Sequence, residues 1–288
     1  MIKNSETVVG DDGYDVAIPS AKALYIEMRF GDTILSSGTA FLVSRTRESH
    51  CALITNRHNL TGRHQESGQC LSSTAAIPDH IDIYFLAPFE DRPKDWNKVS
   101  LPLYRENGSP YWIEHPRLKE RADIVALNFT WGNDVHKLPY YIDTTLDRHG
   151  IVVGPAEPVS VIGYPFGRTS VAKFPIWATG FLAHELSLVT AENPTFMIDC
   201  RTRQGQSGSA VIAWRVGNYR KLNAEGGVVS VVSPGPHWEF LGIYSGRIHP
   251  HSDIGKVWHV SAIAELLDAA ALDAQERAEK GKHGDRTF

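Results

Sequence analysis

The chain has 288 residues, 42% of them hydrophobic, enough to bury a sizeable core in one or two domains. A formal charge of −4 and a pI near 6.3 lack the basic excess that marks a nucleic-acid partner. No apolar run is long enough to span a bilayer and residues 1–10 hold no apolar signal core. Three cysteines (Cys51, Cys70, Cys200) are an odd count that suggests no disulfide framework, although a Cys51–Cys70 link stays open. The expectation is a cytoplasmic protein with neither membrane nor nucleic acid as partner.

Residues 1–22 are polar, punctuated by Gly10-Asp11-Asp12-Gly13 and Ile18-Pro19-Ser20, and read as a loose lead-in. Short runs rich in β-branched and aromatic residues then follow at 24–30, 39–44, 51–55, 81–86, 99–104 and 124–129. The long polar loop 62–78 interrupts them, and His64 within it reads as a loop histidine. Polar, Gly- and Pro-containing sequence across 131–158 marks a boundary, which divides the chain into units 23–145 and 146–260. A second series of runs lies at 159–162, 176–184, 187–190, 196–199, 209–216, 227–232 and 240–248. Many short strands between turn signals argue an all-β barrel or sandwich, not a parallel α/β sheet. Alanines with Ile263, Leu266, Leu267 and Leu272 at near-helical spacing behind Ser261 predict a helix over 261–280, with 281–288 disordered.

Chemistry concentrates at Gly205-Gln206-Ser207-Gly208-Ser209-Ala210, which feeds the apolar run Val211-Ile212-Ala213-Trp214. A serine between glycines can sit on a tight turn that lets a substrate carbonyl approach, but Gly and Ser also dominate ordinary turns. A serine nucleophile needs a base, and the base needs a partner to fix its tautomer. Two upstream segments supply these types: Leu53-Ile54-Thr55-Asn56-Arg57-His58, an apolar run ending in Thr-x-x-His, and Ala122-Asp123-Ile124-Val125-Ala126-Leu127. An α/β-hydrolase would want Gly-x-Ser-x-Gly with acid and histidine downstream; Ser209 breaks that motif and only Asp253 and His259 follow suitably. The cluster His249-Pro250-His251-Ser252-Asp253 matches no strong zinc spacing, so no metal is expected.

The order His58, Asp123, Ser207 resembles that of the chymotrypsin-fold serine peptidases, in particular the bacterial branch with HtrA-type and glutamyl-endopeptidase-type enzymes. Thr55-Asn56-Arg57-His58 is similar to that family's Thr-x-x-His motif, 122–127 to its Asp-Ile-Ala-Leu motif, and 205–209 to its Gly-Asn-Ser-Gly-Ser/Gly motif. Val161-Ile162-Gly163-Tyr164-Pro165-Phe166-Gly167 is similar to the opening of its second barrel. The likeness spans roughly Ala23 to Leu267 and leaves no room for a PDZ domain. It implies two six-stranded antiparallel β-barrels with a C-terminal α-helix packed on the second, and a serine endopeptidase acting without cofactor on protein or peptide substrates. His58, Asp123 and Ser207 would be catalytic, and the backbone N–H groups of Gly205 and Ser207 would form the oxyanion hole. Tyr244, Ser245, Gly246, Gln204 and Arg201 would wall the specificity pocket. Arg201 would either favour an acidic side chain there or point to solvent, and the glutamyl-specific relatives carry histidine at the position matched by Ile243. Gln206 replaces the aspartate that pairs with a cleaved N-terminus in the digestive members, so no proteolytic activation is implied. The alternative is a silent or partner-activated binding module on a protease fold, with a protein regulator as partner.

Overall fold

The computed structural model describes residues 7–9, 15–88 and 95–284. Strands β1 (Thr7–Val9) and β2 (Asp15–Ala17) pair antiparallel and lead into the helical turn α1 (Ile18–Lys22). Pro19 lies in the first turn of α1, where its missing N–H leaves no bond unmade. Every residue of α1 is buried, so this part of the segment expected to be loose is anchored. The cause is a long-range contact: Lys22 Nζ donates to Pro139 O at 2.8 Å and to Asp147 Oδ1 at 2.5 Å.

The N-terminal unit comprises β3 (Ala23–Phe30), β4 (Thr33–Ser44), β5 (Cys51–Thr55), the turn α2 (Arg57–Thr61), β6 (His80–Leu86), β7 (Trp96–Pro102), β8 (Ile113–Glu114), β9 (Val125–Leu127) and β10 (Tyr140–Tyr141). The strands pair antiparallel in the order β7-β6-β3-β4-β5-β9-β8, and β10 adds parallel to β4. Side chains alternate across a strand, and on β4 and β5 both faces are covered. Ala40, Leu42, Cys51 and Leu53 fill this unit's own core, while Phe41, Val43, Ala52 and Ile54 face a central core shared with the rest of the chain.

The C-terminal unit closes: β11 (Pro158–Gly163), β12 (Ile176–Leu182), β13 (Thr195–Asp199), β16 (Ile254–His259), β15 (Val228–Arg247) and β14 (Ala210–Leu222) form a six-stranded barrel. Val159, Val161, Val211, Ala213 and Val257 point inward, whereas Ile162, Ala210, Ile212, Phe240 and Ile243 turn to the central core. The expected all-β class, two mainly antiparallel units followed by a C-terminal helix, is what these elements build. In detail the N-terminal unit pairs eight strands along an unclosed path, because the two-residue β8 and β10 add to it.

Three strand expectations change. Residues 187–190 form no strand; Leu186–Leu188 is a 3-10 turn and Leu188 is exposed, with no barrel face to cover it. The runs 227–232 and 240–248 belong to one strand, β15. Pro234, Gly235 and Pro236 suggest a break, but a register shift between Val216 and Gly217 of β14 absorbs them. β16 was not anticipated, since Gly255, Lys256 and His259 dilute its apolar signal.

The C-terminal helix α3 (Val260–Gly284) extends past the predicted end at 280, and residues 285–288 lie outside the described residues. It packs against both units and not the second alone. Ile263, Leu266, Leu267 and Ala270 enter the central core, and polar clamps reach the N-terminal unit through Arg45–Asp268, Arg117–Glu265 and Asn128 Nδ2 to Ala270 O. All three cysteines are free thiols, and burial pushes Cys51 up to about 12. Among the described residues no helix is long and apolar enough to cross a membrane.

Candidate active site

β5 delivers His58. The strand is wholly buried and is followed by Asn56, whose Nδ2 donates to Asp123 O at 2.7 Å. One turn of helix then exposes His58 and stops at Gly62, which takes the left-handed φ of +62° and returns its N–H to His58 O. β9 pairs with β5 in the register Thr55↔Val125, which sets Asp123, two residues before Val125, beside His58. The Asp123 carboxylate accepts from His58 N–H at 3.0 Å through Oδ1 and holds His58 Nδ1 at 2.7 Å through Oδ2. Two contacts from one carboxylate fix both the position and the orientation of the ring. Asp123 is buried, and its Oδ2 accepts a further bond from Ser245 Oγ.

Ser207 stands on a turn whose glycines are required by space. Gly208 has φ +88°, and a Cβ there would lie 1.9 Å from Thr39 O; at Gly205, with φ +91°, it would lie 2.4 Å from Tyr164 O. The turn is pinned from both units: Thr39 N–H donates to Ser207 O at 3.0 Å, Thr39 Oγ1 to Gly205 O at 3.0 Å, and Gly208 N–H to Tyr244 O at 3.0 Å. Gly163 of the Val161–Gly167 motif provides the close approach, as a Cβ there would meet Ser209 Oγ at 1.9 Å. Gln206 is buried and folds back so that its Oε1 accepts Arg203 N–H at 2.8 Å; the loop is braced from within.

His58, Asp123 and Ser207 open on one cleft of about 1090 Å3 between the two units. The Ser207 hydroxyl is half-buried and donates to Ser245 O at 3.2 Å; among the described residues it has no hydrogen bond to His58. No hydrogen bond among the described residues engages the N–H groups of Gly205 and Ser207. The cleft therefore holds an imidazole oriented by a buried carboxylate together with a serine hydroxyl on a glycine turn.

Gln204, Tyr244, Ser245 and Gly246 line the cleft as expected from the sequence, but Ser245 bonds to Asp123 through its side chain. Arg201 does not line it: the side chain is 87% exposed and leans toward Asp253 at 3.8 Å, so it forms no pocket floor. Ile243 is fully buried in the central core, and it is Tyr244 that reaches the cleft. The sequence reading missed Arg57, Arg121, Arg203, Arg247 and Lys256, which add cations to the wall, and the 62–78 loop including His64 forms one flank. None of these carries a local signal that separates it from an ordinary surface side chain.

No protein-family model matches the chain, and no curated protein matches it. Among solved structures it is similar to the serine endoprotease of Yersinia pestis, at 15% identity over 90% of this chain and 68% of the other, with a TM-score of 0.47. It is also similar to an inactive form of the Rv3671c protease, at 14% identity over 87% of this chain and 89% of that one, with a TM-score of 0.41. The inactive mutant of Rv3671c from M. tuberculosis aligns at 14% identity over 87% and 86% of the two chains, with a TM-score of 0.40.

Proposed function

We propose that the protein is a serine endopeptidase that cleaves peptide bonds in protein or peptide substrates. The observation that carries this reading is the doubly bonded Asp123–His58 pair opening on the cleft that holds Ser207 in its glycine turn. Ser207 Oγ leaves its bond to Ser245 O, rotates toward His58 and attacks the carbonyl carbon while His58 Nε2 takes its proton. Negative charge developing on the carbonyl oxygen is met by the N–H groups of Gly205 and Ser207, each worth roughly 3 kcal/mol of barrier. His58 returns the proton to the leaving amine, and the acyl-enzyme then yields to water activated by the same ring. Asp123 holds the Nδ1–H tautomer and stabilises the imidazolium.

The bond from Ser207 to Ser245 O favours a second reading, a site held silent until a partner turns the serine. Incubation of the purified chain with a denatured protein substrate, beside Ser207→Ala and His58→Ala, tests the two. Fragments that need both residues support the unassisted enzyme. No cleavage by a folded sample contradicts it and favours partner activation or a binding role.

A further inference from the structure

Tyr244 lines the cleft beside Ser207. Tyr244 sits on β15 immediately before Ser245, and its main chain bonds the nucleophile turn on both sides: its carbonyl accepts Gly208 N–H at 3.0 Å and its N–H donates to Ser209 O at 2.9 Å. The side chain turns into the barrel and packs with Cys200 and Val257. Its phenol hydroxyl is hydrogen-bonded to Thr202 Oγ1, and its ring lies against Gly255, where a Cβ would come within 2.5 Å of a ring carbon. Glycine at 255 thus makes room for the tyrosine.

Beside Ser207 the cleft is lined by Gln204, Gly205, Tyr244 and Gly246 and continues along Lys256 and Trp258, but it does not pass the Tyr244 ring to Cys200, Thr202 or Val257. Thr202 and Val257, beyond the ring, have 0% exposure. The phenol fills the space between Thr202 and Gly255 of β16.

We propose that Tyr244 restricts the substrate residue on the acyl side of the cleaved bond to a short side chain: glycine, alanine or serine. This rests on the peptidase reading above and names the substrate class of that site. A longer side chain would have to displace a ring held by the Thr202 hydrogen bond and by close packing on Gly255. Burial pushes the phenol up to about 12, so it stays neutral and keeps that bond through the neutral range.

The test is mass-spectrometric profiling of cuts in a mixture of synthetic peptides by the full chain, with reactive Ser207 counted by a fluorophosphonate probe. Wild type, Tyr244→Ala, Tyr244→Val and Thr202→Val are compared. Wild type is expected to cut after Gly, Ala or Ser at least ~tenfold faster than after Leu, Phe, Arg or Glu. Tyr244→Ala should gain at least ~tenfold after Leu or Phe, Tyr244→Val a smaller gain, and Thr202→Val, which removes the hydrogen bond but keeps the ring and its packing on Gly255, the smallest. A wild-type sample labelled at Ser207 that cuts equally well after Phe or Leu overturns the inference and leaves the peptidase reading standing. Wild type that is neither labelled nor active overturns both. If Tyr244→Ala fails to fold, the wild-type preference and Tyr244→Val decide.

Discussion

Replacing Lys22 by methionine isolates the one charge that ties the start of the described chain to its centre. Lys22 Nζ is 2.5 Å from Asp147 Oδ1, with the two side chains 5% and 1% exposed, and it also donates to Pro139 O. It lies over the Tyr140 ring at 4.8 Å, and Tyr140 stacks on Phe240, so the pair anchors the segment between the two units to the central core. Burial lowers the Lys22 pKa even though the Asp147 carboxylate opposes it, so desolvation is the larger effect. Removing one partner of a buried pair strands the other charge, at a cost of about 3–5 kcal/mol. Asp147 retains Trp238 Nε1 at 3.1 Å and the Tyr141 N–H at 2.9 Å, which puts the loss near the low end, about 3 kcal/mol. Against a total of roughly 5–15 kcal/mol that is a large fraction. Urea denaturation at pH 7 should show a lower midpoint with an unchanged slope, and adding Asp147→Asn should cost less than the sum of the two single changes. A loss under about 1 kcal/mol, or strict additivity, would refute the claim that the pair holds the segment.

Gly208→Ala should abolish reactivity at Ser207 while far-UV circular dichroism stays native, because the new Cβ would meet Thr39 O at 1.9 Å in a left-handed backbone; full labelling would contradict this. Ser245→Ala removes a hydrogen bond to a carboxylate, so kcat should fall roughly ten- to hundredfold with KM little changed; a rise in KM alone would instead mark Ser245 as a binding residue. Burial lowers His259 to about 4, with Arg148 adding to the effect, and it lowers His115, whose Nδ1 accepts the N–H groups of Arg117 and Leu118. The unfolded chain takes up protons near pH 6.5 where the folded chain does not, so stability is complete above pH 6.5 and falls as pH drops toward about 4. His259 contributes up to about 3 kcal/mol of that loss. Urea midpoints from pH 7.5 downward should drop, less steeply for His259→Gln; a flat or rising midpoint would count against it.

How far the sequence could be read depended on how local each cause is. His58 and Asp123 end or precede apolar runs that had to be strands, and strand pairing brings such ends together, so the pair was legible from Thr55–His58 and 122–127. The glycines around Ser207 were legible as a turn, although the reason for each lies in contacts with Thr39 and Tyr164. The Lys22–Asp147 pair spans 125 residues and has no local pattern, so α1 looked like loose polar chain. α3 was found from its apolar spacing, yet which surface it covers depends on Arg45, Arg117 and Asn128 in the other unit. Of the pocket candidates, Arg201 points to solvent, and no local sequence pattern gives the direction of a side chain in such a segment. Tyr244 pairs with Val257 and its side chain joins the interior of the C-terminal barrel.

If the protein is a serine peptidase, Ser207 and His58 form one reactive site. Fluorophosphonate labelling of the folded chain, with the modified peptide located by mass spectrometry and Ser207→Ala and His58→Ala as controls, tests it most directly. A single adduct on Ser207 is expected, absent from Ser207→Ala and strongly slowed in His58→Ala. An adduct elsewhere, or labelling at Ser207 that is indifferent to His58, would contradict it.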